Sequence, residues 1–138
     1  MSELQQFAEQ VLSAQPFSRL LGVRLTASGS DHAELTIDVT EDLKQQHGFV
    51  HGGVISYLAD NAITFAGGLS LDGDALTSEY KINYLRPATG PVLVGRARAA
   101  SAGSRQAVCR CDVYSVRDEQ ELLCAIAQGT VVSLPERR

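Results

Sequence analysis

The segment from His51 to Gly68 reads HGGVISYLADNAITFAGG. Val54, Ile55, Tyr57, Leu58, Ala59, Ala62, Ile63, Phe65 and Ala66 put apolar groups almost all round a helix. A helix that is apolar on every side has to be surrounded by protein. It is too short and too often interrupted to be the ~18–20-residue apolar run of a membrane span. The rest of the chain must therefore wrap this helix, and Gly67-Gly68 are expected to end it.

The flanking sequence supplies a sheet to do the wrapping. Residues 3–14 carry Leu4, Phe7, Ala8, Val11 and Leu12 at helical spacing, and Pro16 is expected to stop that helix. A short apolar turn, Phe17–Leu21, leads to Gly22. The period then changes to two. Val23, Leu25 and Ala27, the turn Ser28-Gly29-Ser30-Asp31, and Ala33, Leu35, Ile37 and Val39 read as a hairpin. Beyond the buried helix, Leu76, Ser78, Tyr80, Ile82 and Tyr84 are expected to share one strand face. Val92–Ala100, Ala107–Val116 and Leu122–Leu134 follow as strands. No connection after residue 70 is long enough for a parallel crossover, so this half is expected to be an antiparallel meander. The expectation is an α+β chain: two strands, a buried helix, four strands.

With 138 residues the chain makes one domain, residues 1–138, with an N-terminal helix over 1–16 and a core over 17–134. Twelve Lys+Arg against 16 Asp+Glu leave a net charge of −4, which argues against nucleic-acid binding. The first residues, MSELQQFAEQVL, carry acids and no basic cluster before an apolar run, so no signal peptide and a cytoplasmic location are expected. Cys109, Cys111 and Cys124 read as buried reduced thiols. No CxxC, HxxxH or Cys-His cluster suggests a metal site. No GxSxG, GxGxxG or phosphate-binding loop suggests a serine nucleophile or a nucleotide cofactor.

Two features of the buried helix carry chemistry. Asp60 is an acid among Leu58, Ala59, Ala62 and Ile63, in a thin polar stripe with Ser56 and Thr64. A buried carboxylate is kept when partners satisfy it or when it is used. The helix start, His51-Gly52-Gly53, is expected to leave its first N–H groups uncovered by side chains, as a site for an anion or a reacting carbonyl oxygen; equally, the glycines can simply relieve crowding. Eight positions separate Gly52 from Asp60, about 12 Å along a helix. Reacting atoms approach to about 3–3.5 Å, so one acyl carbon cannot meet both within a chain. If both serve one reaction, they come from two chains related by a two-fold axis.

The string His47-Gly48-Phe49-Val50-His51-Gly52-Gly53-Val54-Ile55-Ser56-Tyr57-Leu58-Ala59-Asp60-Asn61-Ala62, with the later Tyr84-Leu85-Arg86-Pro87-Ala88, resembles the hotdog-fold thioesterases, particularly the phenylacetate-pathway-like acyl-CoA thioesterases. The likeness in element order runs from about residue 17 to 134. It implies an antiparallel sheet rolled around one long helix, paired as a homodimer with cross-subunit sites and often doubled to a tetramer. It implies hydrolysis of an acyl-CoA, aromatic or medium-chain, with no cofactor. At the matching positions Gly52 would give a backbone N–H to the thioester oxygen, and Asp60 of the facing subunit would be nucleophile or general base. His51 would stand at the leaving sulfur, and Thr77 would help hold the water. Six residues before His51, where many relatives carry Asn, this chain has Gln45, with Gln46 as an alternative amide. Gly53 belongs to the same helix start as a substrate-binding position.

Arg86, near the strand end, and Arg105, in the Gly103-Ser104-Arg105 turn, are candidates for the phosphates of coenzyme A, alongside Arg96, Arg98 and Arg110; each is otherwise a solvated charge. Two other functions use the same framework. A hotdog hydratase or dehydratase would need a positioned His for proton transfer. A non-catalytic acyl-CoA-binding module would bind without turnover.

Overall fold

The computed structural model describes residues 2–135. Helix α1 (Glu3–Ser13) is capped by the Ser2 hydroxyl, which accepts from the Gln5 N–H at 3.1 Å, and buries Ala8 and Leu12. The Phe17–Leu21 turn is a helix, α2 (Pro16–Leu21): α1 stops short of Pro16, whose predecessor Gln15 is extended at ψ 111°, and Pro16 also starts the new helix, where its missing N–H costs nothing. Gly22, at φ 71°, closes it in the left-handed region.

The strands are β1 (Arg24–Ser28), β2 (His32–Asp38), β3 (Ala75–Tyr84), β4 (Val92–Ala102), β5 (Gln106–Arg117) and β6 (Gln120–Ser133), with α3 (Gly52–Leu71) between β2 and β3. They form one antiparallel sheet in the order β1-β2-β4-β5-β6-β3, bent around α3. Leu35, Ile37, Leu93, Val113 and Val131 of the sheet and Leu58 and Ile63 of the helix are fully buried together. The α+β hotdog expectation is met, with one correction to connectivity. Only β4-β5-β6 is a meander. The helix carries the chain across the sheet, so β3 joins the far side of β6 while β4 joins β2.

Two local expectations also change. Gly67-Gly68 do not end α3, which continues to Leu71 and caps with Asp72 at φ 55°. Gly67 is glycine because β6 crosses it: a Cβ there would lie 2.6 Å from Val131. Gly67→Ala is therefore expected to destabilise by about 1–3 kcal/mol through overpacking, read as a drop in the midpoint of thermal unfolding. In β3, a bulge between Thr77 and Glu79 reverses the alternation. Leu76 and Ser78 turn outward, while Thr77, Tyr80 and Ile82 turn inward.

Cys109, Cys111 and Cys124 are buried free thiols. Burial pushes Cys109 and Cys124 up to about 11 and Cys111 to about 12. The thiolate is the reactive form, so the native protein is expected to be inert to a disulfide reagent at pH 8 and to titrate three thiols once unfolded in guanidinium. A thiol reacting within minutes in the native protein would contradict this burial. No described helix is long and apolar enough to cross a membrane.

Candidate active site

The chain approaches α3 through a structured loop. Glu41–Leu43 makes one 3-10 turn, and the backbone of Gln45 then pairs with that of Phe49. The Gln45 side-chain oxygen turns inward on this loop, accepting from the His47 N–H at 2.5 Å and the Phe49 N–H at 3.3 Å. Gln45 thus holds the loop that delivers His51 to the helix, and Gln46 is exposed.

The helix start is not wholly uncovered, contrary to the expectation above. His51 is the N-cap: its Nδ1 accepts from the Gly53 N–H at 2.8 Å. That bond occupies the donor of Gly53, and a ring whose Nδ1 accepts has Nε2 as its donor; His51 itself is exposed. The Gly52 N–H has no acceptor among the described residues. One free donor therefore marks the helix start. Tyr84, which sequence reasoning missed, frames it: its hydroxyl donates to the Gly52 carbonyl at 3.1 Å, and a Cβ at Gly52 would stand 3.5 Å from its ring.

Two turns along, Asp60 is half-buried, and its Oδ1 is buried with no hydrogen-bond partner among the described residues. Groups on both sides of it are tied down. On the β3 side, Thr64 donates to the Asp60 carbonyl at 2.9 Å and meets Thr77 at 2.5 Å, while Ser56 bonds to Tyr80. The bulge in β3 is what lets Thr77 and Tyr80, three residues apart, both face the helix. On the α2 side, the Asn61 amide donates to Tyr57 at 3.0 Å, Gln15 at 3.1 Å and Ser18 at 3.4 Å. Ser18, itself buried, also contacts Gln15 at 2.5 Å and the Tyr57 hydroxyl at 2.6 Å. Burial raises Tyr57 above the ordinary phenol range, and the Asp60 charge pushes the same way. Tyr57 thus stays a neutral hydroxyl in this network.

The pair Tyr57 and Asn61, spaced i,i+4 on the buried helix, was the sequence signal for this network. Asn61→Ala leaves buried partners unsatisfied and is expected to cost about 1–3 kcal/mol, measured by denaturant unfolding. A change below a few tenths would mean the network adds nothing to the docking of α2.

The remaining sequence candidates lie apart. Arg86 is exposed just past β3, at the Gly52 end of α3; Arg105 is exposed in the β4–β5 turn at the other end of the sheet. Neither has a carboxylate partner among the described residues. Arg96 is committed elsewhere, to Glu34 at 2.6 Å and to Glu121, over the Tyr114 ring. Arg98 pairs with Asp31 at 3.2 Å, and Arg110 bonds Gln128 at 3.2 Å. Among the described residues no cluster of His, Cys, Asp and Glu could hold a metal ion.

β3 runs back along α3, so Tyr84, Tyr80 and Thr77 meet Gly52, Ser56 and Thr64 in turn. It pairs with β6 on one edge only, leaving its other edge unpaired among the described residues. Within the chain, the free N–H and the unpartnered carboxylate oxygen remain eight residues apart on one helix.

Residues 47–122 match the family model for the thioesterase superfamily. The chain is 29% identical to 1,4-dihydroxy-2-naphthoyl-CoA hydrolase of Escherichia coli over 116 residues, 83% of each protein. Its fold superposes on a thioesterase family protein from Silicibacter pomeroyi with a TM-score of 0.88 at 30% identity, covering 94% of this chain and 96% of that one. A thioesterase from Haemophilus influenzae superposes at 0.81 with 29% identity, covering 99% and 94%. The match to the family model spans more than half of the sequence, and the helix that carries Gly52 and Asp60 lies inside it: the chain belongs to the thioesterase superfamily and is a thioester hydrolase of hotdog fold.

Proposed function

We propose that the chain is an acyl-CoA thioesterase whose two active sites each join Gly52 of one subunit to Asp60 of the other in a homodimer. The observation that carries the reading is the buried, unpartnered Oδ1 of Asp60. An unsatisfied buried acceptor costs about 1–3 kcal/mol or more, and a substrate or water that completes it explains its retention. The open edge of β3 supports the pairing. Ser56 lies midway between Gly52 and Asp60 and is bonded to Tyr80 on that edge strand. A two-fold axis level with Tyr80 sets each Gly52 beside the partner's Asp60.

In such a site the Gly52 N–H, at the positive end of the helix dipole, receives the charge that develops on the thioester oxygen. Asp60 either takes a proton from water as the water oxygen bonds to the carbonyl carbon, or attacks that carbon itself to give an anhydride that water then opens. Thr77 and Thr64 offer hydroxyls beside this water. The C–S bond breaks, and the Nε2–H of His51 can donate to the departing sulfur. Arg86 and Arg105 stand at opposite ends of α3, and in the two-fold dimer the Arg86 of one chain and the Arg105 of the other come to the same end, where coenzyme A phosphates would lie.

Incubation with a panel of acyl-CoAs and a thiol reagent tests the assignment. Thiol and free acid are expected in equal amounts without added metal or cofactor. Tight binding with no thiol release, or hydration of enoyl-CoA without thiol release, would replace the proposal.

A further inference from the structure

The N-cap of α3 is a histidine, where Ser, Thr, Asp and Asn are the usual choices. Any of those would satisfy the Gly53 N–H, which donates to His51 Nδ1 at 2.8 Å. The imidazole adds a second nitrogen, and the bond made by one ring nitrogen fixes whether the other carries the proton. The Gly53 N–H is itself half of a peptide group. The other half, the Gly52 carbonyl, accepts from the Tyr84 hydroxyl at 3.1 Å. The Tyr84 hydroxyl, the Gly52–Gly53 peptide and the His51 ring are therefore joined in series.

Each link acts in the same direction. A donor on an amide oxygen draws electron density from the amide nitrogen and makes its N–H a better donor, so bonds in a chain reinforce one another by about 10–30% each. The better the Gly53 N–H donates, the more firmly Nδ1 is held as acceptor and Nε2 as the protonated nitrogen. The sheet, not the helix, fixes Tyr84 for this. It makes the last rung of β3 on β6, opposite the buried Ala125, and the next N–H, of Leu85, donates to the Cys124 carbonyl at 2.8 Å. Tyr84 is 54% exposed, so its hydroxyl meets the Gly52 carbonyl in competition with water, and deleting that hydroxyl leaves the core packing untouched. The other hydroxyl pairs along β3, Tyr80 with Ser56 and Thr77 with Thr64, join side chains and touch no peptide group of the helix start.

We propose that Tyr84 is a positioning residue for thioester hydrolysis, acting through the Gly52–Gly53 peptide to hold the His51 ring as an Nε2–H donor for the departing sulfur. This role rests on the thioesterase reading above, with His51 at the leaving group. As the C–S bond breaks, its electron pair passes to sulfur, and Nε2–H meets the new charge as a hydrogen-bond donor without giving up its proton. The thiolate then takes the proton that the hydrolytic water loses, so water has added OH to the acyl carbon and H to sulfur. A hydrogen bond to an ionised acceptor is stronger than one between neutral groups. An aryl thiolate spreads its charge into the ring and needs the donor less than the alkyl thiolate of coenzyme A.

The test compares Tyr84→Phe, His51→Ser and the double variant on two substrates: the acyl-CoA turned over fastest in the panel above, and the S-phenyl thioester of the same acid. Ser at position 51 keeps a good N-cap but does not reach the sulfur. Tyr84→Phe keeps the ring against Gly52 and should lower kcat on the acyl-CoA about three- to tenfold, the scale of one hydrogen bond, with KM unchanged. On the S-phenyl thioester the same variant should lose less than about twofold, because that leaving group leans less on the donor. In the His51→Ser background Tyr84→Phe should cost nothing further, since its route to the sulfur is gone. In the substrate-free protein the Gly53 amide proton resonance should move upfield in Tyr84→Phe, as a weakened hydrogen bond requires. Equal losses on the two substrates, or losses that multiply in the double variant, overturn the inference and leave Tyr84 as a prop for the helix start. An unmoved Gly53 resonance overturns it too, because the series is then broken at its first link. Wild type that releases no thiol from either substrate overturns the hydrolytic reading and the role at sulfur with it; a Gly53 resonance that still moves then shows that the link stands and only its use has failed.

Discussion

Asp60→Asn is expected to reduce thioester hydrolysis by about 10²–10⁴-fold while leaving the fold intact. Asn has the shape of Asp and keeps an oxygen for whatever completes Oδ1, but it can neither accept a proton from water nor attack the thioester carbon. The carboxylate oxygen it replaces has no partner among the described residues, so no ion pair is lost. The midpoint of thermal unfolding should stay level or rise, because a buried unpaired acceptor is destabilising. Stopped-flow thiol release with purified variant measures the first quantity and differential scanning calorimetry the second. Retention of more than about a tenth of the rate would remove Asp60 from the chemistry. Loss of both rate and fold would make it a structural acid.

The second large effect concerns the two-chain site. Gly52→Pro deletes one backbone donor and little else. His51 has ψ 135°, the extended conformation required before proline, and Gly52 is the first helical residue, where proline is at home. A Cβ at Gly52 would stand at ordinary contact distance from Tyr84. Losing an oxyanion donor of this kind costs about 10²–10³-fold, so the Gly52→Pro homodimer should be nearly inactive, whereas Gly52→Ala, which keeps the N–H, should retain most activity. Mixed refolding of Gly52→Pro with Asp60→Ala then gives about half hybrid dimers if pairing is random. In each hybrid one site collects both defects and the other joins an intact Gly52 to an intact Asp60 from the opposite chain. Activity should return to roughly a quarter of wild type. If differently tagged chains are shown to pair and no activity returns, the donor and the acid do not meet across an interface.

Much of the core was legible in local pattern. The 51–68 segment is apolar on every side of a helix and so had to be surrounded, and the period-two runs on either side could only supply sheet. The acid at Asp60 and the glycine at Gly52 stood out because each is costly or unusual in its place on such a helix. Their separation along the axis follows from helical rise alone. Side-chain occupancy at the helix start was not legible: whether His51 or solvent meets the Gly53 N–H depends on a rotamer that sequence does not state.

The sequence by itself determined most of the elements, their faces outside β3, and the residues that stand on the central helix, because those follow from periodicity within a few turns of chain. Tertiary structure alone decided the rest. Glycine at 67 reads locally as a helix end, and only the crossing of Val131 makes it a contact within a longer helix. Strict alternation puts Leu76 and Ser78 on the face of Tyr80, and only pairing with β6 creates the bulge that turns Thr77 to Thr64 instead. The placement of β3 on the far edge, with one side unpaired, is set by which strands reach each other after the helix has crossed the sheet. Such pairings join residues some 50 positions apart, as Tyr80 with Gly129, and nothing in the local pattern of either strand names its partner.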